Sequence, residues 1–358
     1  MSYLDASLWN DLQVSGAENE KRFSELGLVN AVKASTQFVD YIPPSAKEAL
    51  KTTSALRDVK IPIIKDQTVV VNQTPGFSFI PSNLEESDVY SFSAVDVFSG
   101  FRHYPATYEN NMIDGKAALD QKMKNISYAV GNTAETILAT TLEARKTQLF
   151  SFTTQVNQGS LSGTYTFNGG TDTLEINKAA QQQTMFSSID ELFQANEVGG
   201  NLRYVTNRAG LAVQKMEALQ FGANNTRDLQ ALGMVTPDRM HQTGNISAGS
   251  DVFNGYAFRD GAIGTFENYP WDFRNGTEFG GRKWSVSDVE LPFINMRANI
   301  YTNNEATNAD SLVSGDSNAI MTHFQEMAIW VRFYIVYRYN SDLSTRAQDI
   351  VKIKGLTT

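Results

Sequence analysis

The longest unbroken pattern in the chain runs from Gly115 to Gln148, where Leu119, Met123, Ile126, Val130, Ala134, Ile137 and Leu142 recur at three- and four-residue steps behind a capping Asp114. That spacing gathers the apolar groups on one face and predicts a single helix, about 50 Å long at ~1.5 Å per residue. A compact globule of this length has a radius of gyration of only about 20 Å. The helix must therefore cross the whole subunit.

Around it the pattern changes several times. Residues 1–54 read as an arm of short helices: Ser15-Gly16-Ala17-Glu18 forms a capping box ahead of Phe23, Leu26, Val29 and Val32, and Pro44 opens a second helix. From Val59 the apolar residues run as strand, through Ile61, Ile63, Ile64 and Val69-Val70-Val71 to a Pro75-Gly76 turn, with Phe77 to Ile80 returning. This predicts a long β-hairpin. Residues 150–180, with a turn signal at Asn168-Gly169, read as a surface hairpin added after the helix. A helix opening at Ser188, a strand at Leu202–Thr206 and a helix at 208–220 follow, and the Gly- and Asn-rich stretch 222–325 shows few periodic runs. Ile329, Val331, Phe333, Ile335, Tyr337 and Tyr339 then alternate with Trp330, Tyr334 and Val336, which predicts a central strand buried on both faces. A short strand at Ile350–Ile353 ends the chain.

Composition removes several function classes. With no cysteine there is no disulfide framework, thiolate nucleophile or cysteine-based metal site. His103, His241 and His323 are the only histidines and none sits in a metal or triad motif. No phosphate-binding, dinucleotide-binding or hydrolase-elbow motif occurs, so we expect no catalytic residues, no cofactor and no metal, and a chain that is not an enzyme. No segment approaches the roughly 20 apolar residues of a membrane helix, and Met1-Ser2-Tyr3-Leu4-Asp5-Ala6 shows no basic stretch followed by an apolar run, which predicts synthesis in a cytoplasm and no membrane partner. The formal net charge is -9, which disfavours a sequence-reading DNA binder. The charge is also uneven: from Asp66 to Phe101 there are five acids (Asp66, Glu85, Glu86, Asp88, Asp96) and no Lys or Arg. The hairpin is then an acidic projection.

The order of an N-terminal arm, a long two-stranded loop, a long helix, a mixed α/β region and a late buried strand resembles the Hong Kong 97 fold of tailed-phage major capsid proteins. In wording, Ala55-Leu56-Arg57-Asp58-Val59-Lys60-Ile61-Pro62, Gly100-Phe101-Arg102-His103-Tyr104-Pro105 and Ile350-Val351-Lys352-Ile353-Lys354-Gly355 are similar to phage coat sequences, and the resemblance covers most of the chain. It implies an α+β fold with an N-arm at 1–54, a P-domain strand at 55–65 and an extended loop (E-loop) at 66–101. The P-domain would continue through 102–199, with a spine helix at 114–149 and the inserted hairpin at 150–180. An A-domain at 200–325 and C-terminal strands at 326–358 would complete it, the P-domain sheet joining residues near 55–65, 102–113 and the C-terminal strand.

The implied function is self-assembly into an icosahedral shell around double-stranded DNA, contacted non-specifically. Its implied partners are further copies in hexamers and pentamers, a separate scaffolding protein, a portal and decoration proteins, and its implied location is the virion. Some family members weld subunits through a lysine on the extended loop. No lysine occurs here between Lys65 and Lys116, which predicts a non-covalent shell. The one-sided loop charge suggests that Glu85, Glu86 and Asp88 dock against Lys116, Lys122 and Lys124 of a neighbour. Two rivals are an encapsulin-like compartment of the same fold, and a carbohydrate-binding β-rich protein using aromatic clusters at Phe92, Phe98, Phe101, Tyr104, Tyr108 and at Phe266, Tyr269, Trp271, Phe273.

Overall fold

A computed structural model describes residues 26–52, 58–64, 87–104, 108, 115–150, 165–181, 185–196, 198–213, 239–268, 278–279, 282–291, 294, 296–303, 325–338 and 347–357. The fold is α+β. The helical periodicity resolves into α3, Gly115–Arg145, a 31-residue helix of about 46 Å. Its buried stripe is Leu119, Met123, Val130, Ala134, Leu138 and Leu142.

Two sheets pack along this helix. In the first, β14 (Gln325–Tyr337) is central and pairs antiparallel with β3 (Ala94–His103) along one side. Its other side is shared by β13 (Met296–Asn303) and β9 (Ile263–Glu267), and β12 (Ser285–Leu291) extends the sheet beyond β13. The doubly apolar sequence of β14 follows from that place. Met327, Ile329, Val331, Phe333 and Ile335 face the main core with α3, while Tyr334 and Val336 join a second cluster and Trp330 a third.

The second sheet has six strands, with β4 (Tyr165–Asn168), β5 (Thr173–Ile176), β15 (Ile350–Gly355), β8 (Phe253–Arg259), β6 (Leu202–Thr206) and β7 (Met240–Gln242) in spatial order. Alternation divides its residues between two cores. Val205, Tyr256, Phe258 and Ile350 turn to α3, and Tyr204, Ala257, Val351 and Ile353 turn to the Ile189, Leu192 and Phe193 side chains of α5 (Met185–Ala195), which follows the one-turn α4 (Lys178–Gln181). The helix expected from Ser188 thus starts three residues earlier.

Four expectations need correction. Residues 26–52 are not an arm: α1 (Gly27–Thr36) buries Leu28, Val29, Ala31 and Val32 in the main core of its own subunit, and α2 (Pro44–Thr52) buries Leu50. The apolar stripe of the expected arm is thus buried within its own subunit. Two close approaches show how tightly α1 fits. A Cβ on Gly27 would stand 2.8 Å from the backbone nitrogen of Gln242, and one on Gly131 of α3 would stand 2.8 Å from Leu26 Cδ1. The capping box at Ser15–Glu18 and Phe23 lie outside the described residues.

The sheet boundary also moves. Residues 94–101, assigned to the extended loop by their charge, form most of β3, because Val95, Val97 and Phe101 alternate inward against the core. The strand that joins β14 is therefore Ala94–His103, not 102–113. The strand at β1 (Val59–Ile64) pairs with β2 (Ser87–Phe92) in a separate two-stranded sheet and not with β14.

The hairpin β4–β5 turns at 168–172 as its Asn-Gly signal predicts, yet it is no surface addition. β5 pairs in parallel with β15 and buries Leu174 and Ile176 completely. Finally, residues 200–325 do not form one unit: β6, β7 and β8 belong to the six-stranded sheet, whereas β9, β12 and β13 belong to the five-stranded one. The pairing partners came from 94–103, 325–337 and 350–355, which lie too far away in sequence for local pattern to reveal.

Candidate assembly surface

The described base of the expected hairpin is the β1–β2 pair. Its register runs from Val59↔Phe92 to Ile64↔Ser87. Ile61 and Val59 on one strand and Tyr90 and Phe92 on the other turn inward to meet Tyr334 and Val336. Val89, facing the other way, is 60% exposed. The base is thus anchored by one apolar face and open on the other, and 22 residues (65–86) connect its strands.

The six candidate contact residues fall as follows. Glu85 and Glu86 lie outside the described residues. Asp88 sits on β2 opposite Ile63. Lys116 is exposed in the first turn of α3, and Lys122 and Lys124 are half-buried about two turns on. Lys122 donates to the carbonyl of Arg102 at 3.3 Å, so part of its capacity is used within the subunit. Within one subunit β2 packs on β1 and β14, while α3 packs on α1, β3 and β15. The fifth acid, Asp96, is engaged on its own sheet: it accepts from Trp330 Nε1 at 2.8 Å and faces Arg332 Nε at 3.6 Å.

The remaining electrostatics are structural. Glu135 lies inside the apolar stripe of α3 and is fully buried. Its Oε1 accepts from the backbone N–H groups of Leu28 at 2.7 Å and Val29 at 3.3 Å; its Oε2 accepts from Thr243 Oγ1 at 2.5 Å and Asn245 Nδ2 at 3.3 Å. It serves as the cap that α1 lacks locally, since Leu26 makes no side-chain cap. Burial raises its pKa, against the lowering effect of those four hydrogen bonds. This residue was missed in the sequence, although a carboxylate one helical turn from Gly131 and Leu138 on the buried face was the available signal.

Further along the helix, Glu143 is the opposite case. Burial works to raise its pKa, but Lys146 at 2.8 Å, the Tyr256 hydroxyl and Lys352 at 3.0 Å outweigh it and hold the carboxyl at about 2. At the end of β3, His103 stacks on Tyr108 with ring centroids 5.5 Å apart. Burial, then the charge of Lys122, lowers its pKa.

Of the aromatic clusters, Phe92 and Phe266 are core residues, Phe101 packs against the core, and Phe98 is 67% exposed; Tyr269, Trp271 and Phe273 lie outside the described residues. Packing accounts for Phe92, Phe101 and Phe266 better than a sugar platform does. Among the described residues no group of three metal-ligating side chains gathers, and no described helix is long and apolar enough to cross a membrane.

No family model and no curated protein matches the sequence. Among solved structures, the chain is similar to one from Mycobacterium phage Adephagia, with 11% identity, 90% of this chain and 94% of that one covered, and a TM-score of 0.43. It is also similar to a capsid structure of the cyanophage P-SCSP1u (11% identity, 91% and 90% covered, TM-score 0.42). A third likeness is to the asymmetric unit of the bacteriophage PhiM1 mature capsid (9% identity, 86% and 84% covered, TM-score 0.44).

Proposed function

We propose that this chain is a shell-forming subunit, the major capsid protein of a tailed phage with a Hong Kong 97-type fold, whose work is assembly and not catalysis. The observation that carries the reading is the hairpin base β1–β2. It is set on the sheet as a separate two-stranded unit, with one face anchored and the other open at Val89. The midpoint of its 65–86 connection falls between Pro75 and Gly76, the turn signal in the sequence. A strand pair continued in that register would extend well beyond the subunit and bury its apolar residues only against another copy.

On this reading the docking of Glu85, Glu86 and Asp88 against Lys116, Lys122 and Lys124 of a neighbour is non-covalent. Each exposed pair contributes about 0 to 1 kcal/mol, and repetition around a closed shell multiplies the effect. Hexamers and pentamers, a scaffolding protein, a portal and packaged double-stranded DNA are the partners this function requires. On this reading the N-arm is the stretch before Leu26.

Expression of the chain alone and with its neighbouring genes, followed by size-exclusion chromatography and negative-stain imaging of the void fraction, tests the proposal. Hollow particles or capsomer rings support it. A 39.7 kDa monomer in both preparations contradicts it.

A further inference from the structure

The strand β3 is ten residues long and, among the described residues, pairs on one side only, with β14. Long unpaired edges invite another strand, and folded proteins usually blunt them with a charge or proline aimed at the approaching chain. Proline is absent from β3, and its charges are arranged differently. Asp96, Phe98, Gly100 and Arg102 alternate on the outer face, with Phe98 67% exposed and the Asp96 and Arg102 side chains 46% and 54% exposed. Val95, Val97, Phe101 and His103 point to the other face.

The outward direction of the backbone can also be fixed. The carbonyl of Arg332 in β14 accepts from the backbone N–H of Asn268 on the β9 side at 2.9 Å, so Arg332 and its ladder partner Asp96 exchange no backbone hydrogen bonds. In an antiparallel ladder alternate residues aim their N–H and C=O groups to the same side. The polar groups of Asp96, Phe98 and Gly100 therefore aim, with those of Arg102, away from β14.

We propose that β3 of one copy pairs antiparallel with β3 of a second copy about a two-fold axis at Ser99. In that register residue 96 stands opposite 102 and residue 98 opposite 100. Asp96 of each copy, held by its own Trp330, then meets the guanidinium of the other's Arg102, which bonds Glu326 of its own subunit through Nε at 2.8 Å, and each Phe98 lies over the space left by the other's Gly100. On the inner face Val97 meets Phe101. The pairing is self-complementary, as a two-fold interface must be.

Neighbouring registers lose this match. Moving the axis to Phe98 sets Phe98 against itself and leaves Arg102 opposite Ala94. Moving it to Gly100 sets Asp96 opposite Tyr104. An axis between residues mates an outer face with an inner one. Parallel pairing sets like charges beside each other. The occupant is thus a second copy of this chain, selected by charge and by the Phe98–Gly100 fit.

The chain has no cysteine, which makes the test direct. Residues facing each other across such an axis have Cα atoms about 4.5 to 5.5 Å apart, within disulfide reach. The full-length Ser99→Cys variant, mildly oxidised, should run mainly as a disulfide-linked dimer on a non-reducing denaturing gel. Ala94→Cys, whose two copies would lie about 34 Å apart, should stay monomeric. Adding Phe98→Asp to Ser99→Cys should abolish the dimer while leaving the thermal midpoint unchanged, because Phe98 is exposed.

Absence of dimer in Ser99→Cys, equal dimer in Ala94→Cys, or dimer that survives Phe98→Asp would each overturn the pairing. The shell proposal is read separately by particle imaging. Shells without the cross-link would reject the β3 pairing alone, and a cross-linked dimer without shells would reject the capsid reading alone.

Discussion

At the scale of single residues, Glu135 is the group whose removal should matter most. Its carboxylate satisfies two backbone donors of α1, a hydroxyl and an amide, all deep in the core. Glu135→Ala leaves them without an acceptor, and we expect a loss of about 3 kcal/mol in chemical denaturation. Glu135→Gln keeps an acceptor without the charge, so its effect depends on pH. The folded-state pKa of Glu135 is raised, so ionisation penalises the folded form as pH climbs above the unfolded value of 4.5 through the folded one. The stability of Glu135→Gln relative to the parent should accordingly improve as pH rises through that window; a relative decline would show that the carboxylate is favoured, not penalised, by its site. His103 gives the complementary case. Its folded pKa is lowered from 6.5, so the unfolded chain takes up a proton first and stability falls as pH drops below 6.5. His103→Phe, which preserves the stack on Tyr108, should show a smaller fall in thermal midpoint between pH 7.5 and 5.5.

At the scale of elements, changes in the hairpin and the helix test the proposed assembly apart from folding. The register Ile64↔Ser87 marks where the connection can be cut back without touching the packed base. Replacing residues 66–85 by a short Asn-Gly turn should leave a folded protein with a near-native thermal midpoint and no particles. A deletion from 67 to 99 should instead prevent folding, because it removes β2 and over half of β3. On α3, changing Lys116, Lys122 and Lys124 together to alanine should lower particle yield with only a small loss of stability, since these side chains lie on its exposed or half-buried face. Unchanged yield, quantified by sedimentation, would reject the acid–lysine docking.

The periodic elements were legible in the sequence: the seven apolar positions of α3, the doubly apolar run of β14 and the Asn168-Gly169 turn each follow from local spacing. What was not legible was partnership. The stripe of α1 reads equally well as an arm awaiting a neighbour or as core, and only Glu135, more than a hundred residues away, decides for core. Asp96 likewise looked like part of an acidic tip until Trp330 and Arg332 were brought beside it.

At the scale of the whole molecule, α3 is the member that unites the two sheets. Leu119, Met123, Val130, Leu138 and Leu142 share one core with Ile329 and Phe333 of the first sheet and Val205 and Phe258 of the second. A subunit built this way is self-sufficient in its interior. Under the two proposals above, other copies meet it at the hairpin, at the open side of β2 marked by Val89, and along the edge of β3. The central claim, that the hairpin turns a folded subunit into a shell, is tested most directly by sedimentation velocity of the full-length chain beside the 66–85 replacement under identical assembly conditions. The expected result is large, closed species for the full-length chain and a folded, slowly sedimenting form for the shortened one. Large closed species from both, or a lone monomer from both, would contradict it.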